Sequence, residues 1–327
     1  MPKINNKKIT ITLDLDSVKA TFKKLADKKI SMTLFALLLL FNSIGIGFIE
    51  YYILKARFEK DLSTLVATEE DPEKFVKRIT TQVLPQAGYT TNVSWGEMGE
   101  KLVEVGAIDE DLFAEIFTTE SNGGDEMKVL SGQDKKISIN EKNSRFIVNT
   151  LWALGLVNKS KVLDEGPMAT GDTPIENYAS TGGWTLGAKS AKELYSSEEL
   201  ITLTPEEQEL VYAITENIFR PCCGNHSAFP DCNHGMAVLG YVQMAVAQGI
   251  SEDQIYKDVL ALNSFWFPTT YIEMAAYFEK EQGTTWDKVD AKTALSYDYS
   301  SALGAQEISQ KISGIPGFES KGGSCGA

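Results

Sequence analysis

Signals that start and stop helices recur along this chain, and they constrain its fold more than any other feature. Asp71-Pro72 pairs a capping side chain with a proline at the first helical position, and Thr204-Pro205-Glu206-Glu207 adds the glutamate of a capping box. Gly249 and Gly283 follow apolar periodic stretches, where glycine commonly ends a helix. The pattern predicts an all-α fold, with one small strand over residues 136–139.

The same signals give the boundaries of individual helices. Residues 158–200 hold few long apolar runs and many turn formers, which indicates a loop-rich connector. The predicted helices are 73–83, 94–105 with Ser94 as the cap, 109–117, 143–156, 204–218, 235–248 and 271–280, with capping boxes at 251–254 and 270–273.

An apolar stretch over residues 30–54 predicts a membrane-spanning helix. Its centre, residues 34–41, carries no charge, and the whole stretch is long enough to cross a bilayer as a helix. Glu50 lies near one end beside Tyr51 and Tyr52, at the position of an interfacial belt. A buried helix of a soluble domain is one alternative, and a cleavable signal peptide, which here lacks a small-x-small cleavage site, is another.

Charge is distributed unevenly along the chain. Residues 1–29 carry eight lysines and three aspartates, whereas the remaining residues include 23 basic and 42 acidic side chains. Lysines before the apolar stretch outnumber the basic residues after it, so the positive-inside bias predicts a cytoplasmic N-terminus and an extracytoplasmic main domain on a single-pass cell-membrane protein. The acidic body repels phosphate backbones and disfavours a nucleic-acid partner.

The predicted fold class is therefore all-α, with an N-terminal single transmembrane helix followed by a mostly helical extracytoplasmic domain. Six segments follow from the composition and the helix signals. They are a basic cytoplasmic tail over 1–29, a transmembrane signal-anchor helix over 30–54, a helical N-terminal part of the ectodomain over 55–157, a loop-rich connector over 158–200, a helical part with the metal or thiol site over 201–315, and a flexible Gly-rich tail over 316–327.

Both histidines and three of the four cysteines of the chain fall within residues 220–236. Thiol and imidazole are donors that zinc and copper prefer in proteins, and the mixture here favours zinc over copper. The predicted ligands are two thiols and two imidazoles, a tetrahedral set: Cys223, His226, Cys232 and His234. Two further thiols are auxiliary: Cys222 and Cys325.

The cluster lies at the junction of two predicted helices. Cys222 and Cys223 follow the end of one helix, and Cys232 lies at the start of the next, with Asp231 or Asn233 as the expected cap. A helix N-terminus lowers the pKa of a nearby thiol. The junction therefore favours the thiolate that metal binding and nucleophilic attack both require.

Other functions fit the same residues. The four cysteines (Cys222, Cys223, Cys232 and Cys325) can exchange disulfides in a thiol-disulfide oxidoreductase, or they can staple two helices of a structural or interaction protein. C-x-x-C, C-x-x-C-H and H-E-x-x-H are all missing from the sequence. The leading interpretation is a membrane-anchored protein that binds one transition-metal ion, for metal handling or as a metal-stabilised scaffold. Enzymatic activity and protein partners stay open.

Overall fold

Two compact units make up the chain in the computed structural model, residues 1–70 and residues 71–327. The described residues are mostly helical, as the sequence predicted. The structure describes residue 41, residues 45–55, residue 57, residues 70–118 and residues 123–318. Cys325, and the segment from residue 319 onward, lie outside the described residues.

The described part of the N-terminal apolar stretch does not form the expected membrane span. Of residues 30–54, only residue 41 and residues 45–54 are described, and these are helical and exposed. The continuous helical part, 45–55, is about 16 Å long at the helical rise, against about 30 Å for a hydrocarbon core, and it contains Glu50. Among the described residues, no helix is both long and apolar enough to cross a membrane. The predicted transmembrane signal-anchor and the single-pass cell-membrane location are therefore wrong.

Residues 71–327 contain the longer helices and a two-stranded antiparallel sheet. The longer helices are α1 Pro72–Val83, α2 Met98–Glu104, α3 Glu110–Phe117, α4 Ser144–Val157, α5 Pro205–Glu216, α6 Asn233–Ala247, α7 Glu252–Trp266, α8 Pro268–Gln282 and α9 Ala302–Ile312. The strands are β1 Tyr89–Ser94 and β2 Lys136–Ile139. Short helical segments are Gly123–Glu126, Lys161–Glu165, Pro167–Thr170, Ala179–Gly182, Ala191–Leu194, Ala291–Ala294 and Tyr297–Ser300, with 3₁₀ turns at Met127–Ser131, Ile175–Asn177 and Trp286–Lys288.

Several predicted helix starts and stops are confirmed. The Asp71 carboxylate accepts hydrogen bonds from two backbone N–H groups at the start of α1, and the Asp109 carboxylate accepts one at the start of α3. Thr204 and Glu207 form the predicted capping box before α5. Gly283 ends α8 in the left-handed conformation, with φ of 64°. Each of these signals acts through backbone groups a few residues away, so the local sequence pattern is sufficient to predict where these helices begin or end.

Other predicted starts are wrong. Ser94 caps no helix, because it ends β1 in the sheet with β2, and helix α2 begins only at Met98. The strand predicted at 136–139 is confirmed as β2. Ser251 precedes α7 without a side-chain capping bond, and α8 begins at Pro268, ahead of the capping box expected at 270–273. Ser94 pairs in a strand with residues far away in the sequence, and that pairing outweighs its local capping signal. Proline prefers the first turn of a helix, so α8 begins at Pro268 rather than at the predicted capping box.

Helix α6 lies at the centre of this unit and positions the candidate site. All of its residues from 234 to 246 are buried. It crosses α4 at two glycines: a Cβ at Gly155 would overlap the Met236 carbonyl oxygen, and a Cβ at Gly240 would overlap the Leu151 carbonyl oxygen. The two backbones are therefore in direct contact, and the first turn of α6 is held in a fixed position within the core.

Candidate metal and thiol site

A fully buried arginine organises the loop between α5 and α6. Arg220 is 0% exposed, and its Nε donates a hydrogen bond to the Cys232 Sγ at 3.2 Å. Nη1 donates to the Asn225 carbonyl oxygen at 3.0 Å, and Nη2 donates to the Phe229 carbonyl oxygen at 2.9 Å and to Asp231 Oδ1 at 2.6 Å. A buried charge is tolerated only with such partners. The guanidinium therefore fixes both the path of the loop and the position of its sulfur.

A glycine in the first turn of α6 makes room for this guanidinium. A Cβ at Gly235 would lie 2.5 Å from the Cζ of Arg220, well inside contact distance. Glycine costs about 1 kcal/mol relative to alanine inside a helix, so its presence here needs a compensating contact. Close packing against Arg220 supplies that contact.

Cys232 is the cap of α6. Its Sγ accepts a hydrogen bond from the backbone N–H of Gly235 at 3.4 Å. The sequence prediction of Asp231 or Asn233 as the cap is wrong, because the Asp231 carboxylate pairs with Arg220 and Asn233 is already the first residue of the helix. The sulfur is therefore held at the positive end of a helix and beside a guanidinium.

Three free cysteine side chains lie close together in this loop. The sulfurs of Cys222 and Cys232 are 3.4 Å apart. Hydrogen bonds from Cys222 and Cys223, together with the charge of Arg220, lower the pKa of the Cys232 thiol well below its usual value. Hydrogen bonding with Cys223 and Cys232 raises the pKa of Cys222, and burial adds to the rise. These contacts favour the thiolate form at Cys232 over the thiolate form at Cys222.

Two groups of side chains bring metal-donor atoms together, and they share Cys232. One group is Cys222, Cys232 and His234, and the other is Cys223, Asp231 and Cys232. Within each group the donor atoms lie within 4.8 Å of one another. Two sulfurs on a tetrahedral zinc, each at about 2.3 Å, lie about 3.8 Å apart, which is close to the observed sulfur separation of the first group. Cys222, Cys232 and His234 can therefore hold a metal ion.

His234 offers a ring nitrogen that lacks another partner. The side chain is 5% exposed, and its ring packs at 4.3 Å from the Phe267 ring centroid and 5.8 Å from that of Trp266. Its Nδ1 is buried and has no hydrogen-bond partner among the described residues. The Nδ1 of His226 is also buried without a partner among the described residues, so this atom does not distinguish the two histidines. The donor set of two thiols and one imidazole is what fits a transition metal.

The remaining predicted ligands do not belong to this group. His226 belongs to neither donor group among the described residues, because its backbone pairs with Phe219 and its ring packs 5.9 Å from the Phe219 ring. Burial lowers the pKa of His226. Cys223 belongs to the group with Asp231, and Cys325 lies outside the described residues. Sequence reasoning missed Asp231 as a donor, although a carboxylate next to a cysteine was a usable signal.

No family model, curated protein or solved structure matches this chain. The chemistry of the site is therefore inferred from its own donor atoms. Thiolate and imidazole together suit zinc and copper better than magnesium or calcium, which prefer oxygen ligands.

Proposed function

We propose that this protein binds one transition-metal ion through Cys222, Cys232 and His234, with zinc preferred over copper. The observation that carries the proposal is the convergence of these three donor atoms within 4.8 Å of one another. Two thiolates and a neutral imidazole balance the charge of a divalent ion, and all three are ordinary zinc ligands. Tetrahedral zinc with two sulfurs and one nitrogen agrees with the separation between the two cysteine sulfurs.

Arg220 supports ion binding without touching the ion. Metal ligation requires deprotonated thiols, so a thiolate stabilised in advance loses less affinity to proton competition. The hydrogen bond from the guanidinium to the Cys232 Sγ, at 3.2 Å, favours that thiolate. Because the Asp231 carboxylate pairs with the same guanidinium, the neighbouring positive charge is balanced before an ion arrives. The loop thus offers a preorganised, charge-balanced site.

Counting only the described residues, the proposed centre has three protein ligands and one open coordination position. Among the residues that the structure describes, no fourth side chain joins the group of Cys222, Cys232 and His234. Structural zinc sites are commonly closed by four protein ligands, whereas three protein ligands leave room for water or another small ligand. This geometry favours a role in metal handling or reactivity over a purely structural ion.

The experiment uses the two histidines of the loop as a matched pair. The full chain is purified without chelator for elemental analysis, then stripped and titrated with zinc as wild type, His234→Ala and His226→Ala. We expect one ion per chain for wild type and His226→Ala, and an affinity lowered at least about 100-fold for His234→Ala. A metal-free wild type, or loss of the ion in His226→Ala alone, would contradict the proposal.

A thiol-disulfide oxidoreductase is the second candidate, favoured by the 3.4 Å separation of two sulfurs of unequal pKa. The Cys232 thiolate would attack a substrate disulfide, forming a mixed disulfide and releasing one substrate thiolate. Cys222, losing its proton to that thiolate, would then attack the Cys232 sulfur and release the second substrate sulfur as a thiolate. The substrate disulfide is thereby reduced and the cysteine pair oxidised.

A trapping experiment separates this candidate from metal binding. Cys222→Ser should accumulate a mixed disulfide on Cys232 when incubated with a disulfide such as oxidised glutathione, whereas Cys232→Ser should not. Full thiol titre after this incubation would exclude the redox candidate. Stoichiometric zinc with all thiols reduced would favour the metal centre.

A further inference from the structure

A cavity of about 720 Å³ lies beside the candidate metal centre, and the proposed function does not use it. His234 belongs both to the donor group and to the cavity wall. The adjoining residue, Asn233, also lines the cavity, so the cavity reaches the first turn of α6. A molecule in this space could therefore contact one of the three donor residues, His234.

The cavity wall is mainly aromatic and apolar. Phe117, Trp152 and Trp266 line it, and each is less than one-tenth exposed. Rings of this kind stack on flat apolar molecules in offset or edge-to-face arrangements. Trp266 also has a buried indole N–H with no hydrogen-bond partner among the described residues. Wall chemistry of this type suits a flat apolar ring system rather than a phosphate.

The rim of the cavity is polar and carries one charge of each sign. Glu141 and Arg145 are exposed and line its edge. Ser144, between them in the sequence, and Asn149, after them, also line the cavity and are half-buried. Opposite charges at one rim give no net preference for an anion or a cation. The selection of a ligand thus falls to the apolar interior.

We propose that this cavity binds a flat, apolar, uncharged small molecule. Its volume lies within the range of about 300–1000 Å³ typical of small-molecule sites, and the combination of an apolar interior with a few polar groups is also typical. We further propose that the bound molecule lies against His234, at the open position of the metal ion. This second part rests on the proposed function, whereas the first part does not.

The test uses the fluorescent probe N-phenyl-1-naphthylamine, which is uncharged and aromatic, with the full chain after metal removal. Val148 lines the cavity and Val246, near the other end of α6, does not, yet both are 5% exposed. We expect saturable binding at one site in the wild type and in Val246→Phe, and affinity at least about tenfold weaker in Val148→Phe. If Val148→Phe does not fold, Asn149→Trp at the half-buried rim serves instead. The proposal would be overturned if the probe showed no saturable binding to the wild type, or if it bound Val148→Phe, or its replacement Asn149→Trp, as tightly as the wild type.

Adding zinc tests the position of the ligand separately. At a zinc concentration that saturates the wild type, zinc should change the probe affinity at least about threefold in the wild type but leave it unchanged in His234→Ala, because that variant is expected not to hold the ion. An unchanged wild-type affinity in protein shown to contain zinc would overturn the placement against His234. Failure to bind zinc would overturn the proposed function and leave the metal-free probe measurement unaffected.

Discussion

The middle of helix α6 and its first turn are both buried, but different physics holds each of them. In the middle, Gly155 and Gly240 let two helix backbones touch, and the surrounding contacts are apolar. In the first turn, Arg220 joins Cys232 and Asp231 through directional polar contacts. Apolar packing tolerates many sequences of suitable volume, whereas a buried polar network fails when one member is lost. The comparison separates a region that provides stability from one that provides chemistry.

The largest effect on stability is expected for Arg220→Met. The substitution removes the cationic partner of the Asp231 carboxylate and one hydrogen-bond donor to the Cys232 Sγ, and breaking a buried ion pair costs about 3 kcal/mol or more. Urea denaturation of the metal-free protein should therefore show a fall of this size in the free energy of unfolding. A loss below about 1 kcal/mol would mean that the polar network does not hold the first turn.

A smaller effect is expected for Gly155→Ala in the middle of the helix pair. The added Cβ would overlap the carbonyl oxygen of Met236, which is backbone and cannot rotate away. The helices must separate, at a cost of about 2 kcal/mol in the free energy of unfolding. Gly314→Ala is the control, because a Cβ there meets nothing within 4 Å, and it should change stability by less than about 0.5 kcal/mol. Equal stabilities for the two variants would contradict the close backbone contact.

The smallest effect on stability is expected for Cys232→Ser, and it sharpens the comparison most. Serine is a good helix cap and its oxygen can accept the Gly235 N–H, so the metal-free protein should lose less than about 1 kcal/mol. The same substitution removes a thiolate ligand, so zinc affinity should fall at least about 100-fold. Zinc titration and urea denaturation of one preparation measure both quantities. If the loss in the free energy of unfolding were as large as the loss in the free energy of zinc binding, the first turn would have no separate chemical role.

Most helices were predictable because their signals are local. Asp71 and Thr204 cap helices through backbone groups three residues away or fewer, so the sequence around each of them was sufficient. Ser94 had the same appearance, but it belongs to a strand whose partner lies about forty residues later. The span over residues 30–54 was predicted from length, hydropathy and the flanking tyrosines, and no described helix there is long and apolar enough to cross a membrane.

The candidate site was predictable in composition but not in grouping. The concentration of cysteine and histidine within residues 220–236 indicated the loop in which the structure brings metal-donor atoms together. Which donors converge depends on side-chain directions, and these are set by the buried Arg220 and by the pairing of His226 with Phe219. Neither constraint follows from spacing, because both depend on burial within the folded unit. The structure accordingly places Cys222, rather than His226, with His234.

X-ray absorption at the zinc edge, on the zinc-loaded full chain, tests the central claim most directly. Coordination by Cys222, Cys232 and His234 predicts two sulfurs at about 2.3 Å and nitrogen or oxygen neighbours at about 2.0–2.1 Å, with one sulfur lost in Cys222→Ser. A first shell without sulfur, or one that is unchanged in Cys222→Ser, would contradict it.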